Sequence, residues 1–179
     1  VCETLIPDYN VLFTYEAFNR PFNDEEMNYL FNLIDVYINL ASNEGFGLGS
    51  CEALHCGKPI IVNVTGGLQD QCGFKRGEYK EHGEWVKPVF PSNISLQGSP
   101  MTPYIFDDRC SYEDAGEALL SWYLRGTEER ERCGNKGIEF VKDENIGMDA
   151  KDMGKKFINC FDKTFENWKP KQKYILEAV

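Results

Sequence analysis

The sequence predicts an α/β fold built on a parallel sheet with helices on both faces. Three observations lead there. Short β-type runs alternate with helical patterns through the first third of the chain. The run Pro59-Ile60-Ile61-Val62 has the length of a buried strand. Glycine-rich turns follow two of the strands, Gly45-Phe46-Gly47 after one and Gly66-Gly67 after the next. Strands separated by helices of this length form parallel βαβ units, whose crossovers are right-handed and lay helices on the sheet faces.

The elements follow in order. Val11–Tyr15 reads as a strand. Asn23 caps a helix, and Glu26 three residues on completes a capping box. Met27, Leu30, Phe31 and Ile34 then recur at helical spacing and give one apolar face. Val36–Ala41 is a second strand, Leu48–Cys56 a helix ended by Gly57 and Pro59, and Pro59–Asn63 a third strand. These three strands are expected to be neighbours in one sheet, with Glu44 and Gly66 at the same edge. From Gln69 to about Ser111 the pattern breaks down, with Trp85–Val89 and Tyr104–Phe106 as possible short strands. A structureless loop of that length is unusual, so the segment is expected to be partly ordered and partly a surface insertion. Three helices close the chain. Ser111 caps the first, which carries Ala115, Leu119, Trp122 and Tyr123. Thr127 caps the second, whose first turn holds Glu128 and Glu129. The third runs from about Met148 to Trp168, with Met153, Phe157, Phe161, Thr164, Phe165 and Trp168 on one stripe, expected to pack in a core or between domains. Lys169-Pro170-Lys171 ends it and begins a tail, 169–179.

Composition narrows the classes. A chain of 179 residues allows one ordinary domain, and 42% hydrophobic residues are enough for a core. No apolar run approaches the roughly 18–20 residues of a membrane span, so no integral membrane segment is expected. The start, Val1-Cys2-Glu3-Thr4, has neither the basic nor the apolar region of a signal peptide. The net charge of -10 disfavours nucleic acid or an anionic membrane as the main partner. It leaves room for a phosphorylated small molecule held by local dipoles. The seven cysteines are an odd, evenly spread set with no C-x-x-C pair, which reads as free thiols in a reducing, cytoplasmic setting. Asn63-Val64-Thr65 and Asn93-Ile94-Ser95 match the glycosylation pattern, but Asn63 ends a strand expected to be buried.

The informative stretch is Ser42-Asn43-Glu44-Gly45-Phe46-Gly47-Leu48-Gly49-Ser50-Cys51-Glu52-Ala53-Leu54. It begins where one strand ends and leads straight into a helix, and ligands of open α/β sheets bind outside the carboxyl ends of the strands. Glycines there let backbone approach a ligand, and the helix N-terminus offers free N–H groups to a phosphate or hydroxyl. Glu44 in the loop and Glu52 one turn into the helix place two carboxylates where they can accept hydrogen bonds from hydroxyls of an extended ligand. The turn Thr65-Gly66-Gly67-Leu68 ends the next strand and should sit beside the first loop.

The competing readings are weaker. The dinucleotide fingerprint G-x-G-x-x-G fails because position 50 is Ser, and Asn63 stands where that fold wants an acidic residue. His55 reads as helix packing and His82 as a solvated loop residue. Asp70 fits a helix N-cap or loop bond at least as well as a sugar contact. Asp107-Asp108-Arg109 reads as a surface turn.

Glu-x7-Glu set as EGFGLGSCEALHCGKPII, followed by TGGL, resembles the donor-binding half of retaining glycosyltransferases of the GT-B fold, family four. The TGGLQD form is also similar to glycogen and starch synthases. The similarity spans about Asn23 to Asp70. It implies a Rossmann-like nucleotide-sugar-binding domain over 1–168. Glu44 would bind hydroxyls of the transferred sugar and is the residue assigned to catalysis. The backbone of Gly45, Phe46, Gly47 and Leu48, with Gly66 and Gly67, would face the donor sugar and diphosphate. Glu52 would accept the ribose hydroxyls, and Tyr15–Arg20 would read the base. The family usually has Pro where this chain has Gly49. It also carries an Arg and a Lys that neutralise the diphosphate; neither Arg20 nor Lys58 fits that motif. By the resemblance those residues, the first strands of this half and an N-terminal domain that takes the acceptor (a carbohydrate, lipid or protein) would precede residue 1. The chain is therefore expected to be part of a two-domain enzyme, inactive alone. The implied reaction transfers a sugar from a nucleotide-diphosphate sugar with retention and without metal or other cofactor. The alternative is a non-catalytic module that binds a nucleotide or a protein.

Overall fold

The computed structural model describes residues 11, 13, 18–75 and 81–171. The chain divides into two compact units, Val1–Ile34 and Asp35–Val179. The strand read over Val11–Tyr15 lies largely outside the described residues; Val11 and Phe13 are exposed.

In the first unit, helix α1 (Asp24–Leu33) begins as the sequence requires. The Asn23 side chain accepts from the Glu26 N–H, and the Glu26 carboxylate accepts from the Asn23 N–H. Arg20 grips the same carboxylate with both guanidinium nitrogens, at 2.8 and 2.5 Å. The Arg20 hydrogen bond, followed by the Asn23 N–H, holds the Glu26 carboxyl down at about 2. Three acidic residues in the first turn, Asp24, Glu25 and Glu26, complement the positive end of the helix dipole. Of the predicted apolar face, Phe31 is buried and Met27, Leu30 and Ile34 are half-buried.

The second unit is a three-stranded parallel sheet with helices. The strands are β1 (Tyr37–Asn39), β2 (Ile60–Asn63) and β3 (Val86–Val89), in that spatial order. Helix α2 (Leu48–His55) connects β1 to β2, and the short α3 (Leu68–Gln71) precedes β3. Central β2 is buried at all four positions, which is why its residues read as a continuous apolar run and not as an alternation. Ile61 and Val89 pack with Ala118, Trp122 and Cys133 in one core cluster. Val86–Val89 supplies the third parallel strand, although the segment around it has no legible period. Val86 and Val89 are buried, while Lys87 and Pro88 between them break the apolar run.

After β3 the chain forms an antiparallel hairpin, β4 (Pro91–Ser99) and β5 (Thr102–Cys110). Asp107, Asp108 and Arg109 lie in β5, not in a surface turn as their charge suggested. Helix α4 (Tyr112–Val141) starts at Ser111, whose hydroxyl accepts from the Asp114 N–H. It breaks at Gly126, where φ 76 and ψ 172 leave the helical region and separate the two helices expected there. Near that break the Arg130 guanidinium donates to the Trp122 carbonyl at 3.3 Å. Arg130 also pairs with Asp35 at 3.0 Å. Beyond the break, α4 lies close against the end of α2, and a Cβ on Gly134 would overlap the Gly57 carbonyl.

Helix α5 (Ala150–Asn167) opens on Asp149, whose carboxylate accepts from the Lys151 N–H. Its apolar stripe is not core among the described residues, with Phe157 57% and Phe165 79% exposed. Most of the tail, 172–179, lies outside the described residues. No disulfide joins the described cysteines. No helix among the described residues is long and apolar enough to cross a membrane.

Two of the glycines of α4, Gly134 and Gly116, give opposite expectations. Gly134→Ala should destabilise the protein by about 1–3 kcal/mol, because the added carbon meets backbone that cannot swing aside. Gly116→Ala, with nothing within 4 Å of the new carbon, should stabilise it by about 0.5–1 kcal/mol through backbone entropy. Urea denaturation of the two variants checks both signs.

Candidate functional site

The loop after β1 and the turn after β2 emerge from the same ends of parallel neighbours and mesh backbone to backbone. The Gly67 N–H donates to the Glu44 carbonyl at 3.1 Å. A Cβ at Gly66, where φ is +46, would overlap that same carbonyl. One at Gly67 would come within 2.7 Å of the Phe46 Cα. Glycine is therefore required at 66 and 67 by space, and at 66 by conformation as well. Glu44, Gly45 and Phe46 on one side, and Gly66 and Gly67 on the other, form one continuous rim.

Gly47 caps α2 in the left-handed region, at φ 84 and ψ 61. It sits tight against Ser50, whose hydroxyl donates to the Gly47 carbonyl at 2.9 Å. Buried Gln71 fixes the outer wall: its amide donates to the carbonyls of Phe46 at 2.6 Å and Gly47 at 3.0 Å. With those carbonyls held inward, the loop backbone keeps one orientation at the start of α2. The first N–H groups of any helix have no carbonyl partner inside it. Leu48 and Phe46 are exposed at this edge, and Gly47 is buried.

Both carboxylates lie near enough to Tyr37 to act on its phenol. Glu44 is half-buried and approaches the Asn39 amide at 3.5 Å, while Glu52 is exposed on α2. The Tyr37 phenol is pushed up first by burial and then by the negative charge of both Glu44 and Glu52. The loop and helix carboxylates thus act on one phenol. Tyr37 also accounts for Gly49, since a Cβ at position 49 would strike its hydroxyl end. The proline usual at that position in the resembled family would meet this phenol unless Tyr37 moved.

The remaining predicted residues separate from this patch. Asp70 lies inside α3, its N–H bonded to the Gly67 carbonyl at 3.2 Å, and is exposed. His55 is half-buried in the last turn of α2. Of the proposed base-reading segment, residues 15–17 lie outside the described residues, and Arg20 is engaged with Glu26.

Sequence reasoning missed the polar support. Asn63, buried at the end of β2, donates to the Ala41 and Asp108 carbonyls at 3.0 and 2.9 Å. Thr65 donates to the Asp108 carboxylate at 2.8 Å. Nothing in the sequence marks Asp108 as a neighbour of residues 42–65. Asn63 does carry a signal, being a polar residue that ends an otherwise apolar strand.

The three-stranded parallel sheet, with meshed glycine loops at its strand ends, is Rossmann-like. Residues 18–96, from just before α1 into β4, match the family of glycosyl transferases group 1, so over that span the chain is similar to that family. Enzymes of this family use nucleotide-sugar donors. No curated protein matches the chain.

The charge on the patch is testable directly. The Tyr37 phenol should titrate above the ordinary tyrosine value of about 10. Glu44→Gln and Glu52→Gln should each bring it down, since each removes one of the negative charges that oppose phenolate formation. An NMR pH titration of ring-labelled tyrosine, with Tyr37→Phe to assign the signal, would show this. A Tyr37 resonance unmoved by either glutamine would mean that the two carboxylates do not share the patch.

Proposed function

We propose that this domain binds the nucleotide-diphosphate sugar of a retaining glycosyl transfer. The observation that carries the reading is the meshed rim of Glu44–Phe46 and Gly66–Gly67 outside the carboxyl ends of two parallel strands, with Glu52 on the adjoining helix. Glu44 accepts hydrogen bonds from hydroxyls of the transferred sugar. Glu52 accepts them from the ribose. Backbone N–H groups at the start of α2, together with its dipole, take the diphosphate, whose negative charge grows as the sugar departs. Stabilisation of a developing anion by fixed dipoles involves no reorganisation during the reaction, which suits a loop held rigid by Gln71 and the Gly66–Gly67 turn.

No metal is assigned a role in this reading. Charge on the leaving group is met by peptide dipoles and, by the family resemblance, by basic residues that Arg20 and Lys58 do not replace. The acceptor and its activating base belong to a part of the enzyme outside this chain's own residues, so transfer itself requires that part. The protein acts on the aqueous, cytoplasmic side in this reading, where nucleotide sugars are made.

Glu52→Ala should weaken binding of a nucleoside diphosphate by roughly ten- to a hundredfold, the loss of one charge-assisted hydrogen-bond acceptor of about 1.5–3 kcal/mol. Glu44→Ala should leave the free nucleotide nearly unaffected and weaken the nucleotide sugar. Chelator should change neither. Calorimetric titration of uridine, guanosine and adenosine diphosphates and their hexose conjugates against the three proteins reads all of this. Absence of binding at millimolar nucleotide, or a Glu52→Ala variant equal to wild type, would instead favour a protein-binding module derived from such a domain.

A further inference from the structure

We propose that the β4–β5 hairpin is a clamp on the donor rim and that Asp108 is its positioning residue; the inference rests on the donor-site reading above. Asp108 bonds three residues in the two segments that form the rim's foundation, the start of the loop after β1 and the end of β2 with its turn. Its N–H donates to the Ser42 carbonyl at 3.0 Å. Its carbonyl accepts from the Asn63 amide at 2.9 Å, and its carboxylate accepts from the Thr65 hydroxyl at 2.8 Å. Ser42 opens the loop that carries Glu44, and Thr65 opens the turn that carries Gly66 and Gly67. Beside it the Asp107 carboxylate accepts from the Asn43 amide, one residue before Glu44, and is itself paired with Arg109 at 3.0 Å.

These bonds contribute little to the hairpin's own burial. Beyond its base the hairpin is exposed, with Ile94 at 66% and Phe106 at 62%, whereas Asp107 and Asp108 are half-buried against the rim. A largely exposed hairpin joined to the body through polar groups at its root gains its attachment from those groups. The loops gain a fixed separation in return. The Thr65 hydroxyl lies between the Asp108 carboxylate and the Ser42 carbonyl, at 2.8 and 3.4 Å, so one side chain sets the spacing of both loops. The clamp holds the sugar end of the site, where Glu44 and Gly66 lie. Glu52 stands on α2, outside this network.

That geography gives a split that a general loss of stability would not produce. In the full chain, Asp108→Ala should weaken uridine diphosphate glucose about tenfold, the loss of one charge-assisted hydrogen bond, and free uridine diphosphate less than twofold. The guanosine–mannose and adenosine–glucose pairs are run alongside. Thr65→Val should reproduce the loss, Thr65→Ser should restore binding to within about threefold, and Asp108→Ala with Thr65→Val should be no worse than either alone. Independently of any ligand, amide exchange across 42–47 and 65–67 should accelerate in Asp108→Ala while β2 remains protected. Unchanged exchange in those loops overturns the clamp. Equal weakening of nucleotide and nucleotide sugar overturns the positioning role. If wild type binds the sugar conjugates and Asp108→Ala binds them equally well, this inference alone is lost. If wild type binds none of the six ligands, the donor reading fails and takes the inference with it.

Discussion

One hydrogen bond, from the Gly67 N–H to the Glu44 carbonyl, joins the two loops on which the rest of the site depends. It can form only because positions 66 and 67 lack side chains, so that the turn after β2 enters the space beneath the loop after β1. The parallel pairing of β1 with β2 brings these strand ends to the same level. Everything polar nearby then serves that junction. Gln71 holds the Phe46 and Gly47 carbonyls, Asn63 reaches across to Ala41, and Thr65 ties the turn to the hairpin. Below the junction the structure is apolar, with a fully buried central strand packed under Trp122.

Legibility in the sequence follows the physics of each part. Helix α1 was readable to the residue because its signal is local: a capping box needs only Asn23 and Glu26. The strand Ile60–Asn63 and its glycine turn were readable because burial on both faces leaves a continuous apolar run, and close approach leaves paired glycines. β3 was legible as a possible short strand over Trp85–Val89 but not as a sheet neighbour of β2, because Lys87 and Pro88 interrupt its apolar run between two buried valines. The hairpin was only half visible, since outward exposure on both strands removes the alternation that usually marks them. Asp107 and Asp108 read as surface charge because their partners lie more than forty positions away in the chain. The α5 stripe was legible as a helix face, but periodicity does not say what covers it. The carboxylates Glu44 and Glu52 were found by their spacing, whereas Tyr37 near them was not, because a lone tyrosine in a strand carries no pattern.

The electrostatic character of the domain divides along similar lines. Most of its ion pairs are exposed and local, such as Lys136–Glu139 and Arg132–Glu129, and contribute little to stability in water. In a chain of net charge -10, the proposed phosphate position draws on backbone dipoles at the start of α2. An anionic ligand would therefore meet repulsion at long range and attraction only within the first helical turn, where dipoles outweigh distant charge.

Tyr37 and Gly49 show how a departure from a family pattern can be a single event. The phenol fills the volume that a side chain on residue 49 would need, and it does so from strand β1 while residue 49 lies in helix α2. The two positions are thus one character written in two places. A ring at 49 would therefore require either a smaller residue at 37 or a phenol turned away from α2, so a change at either position alters what the other can hold.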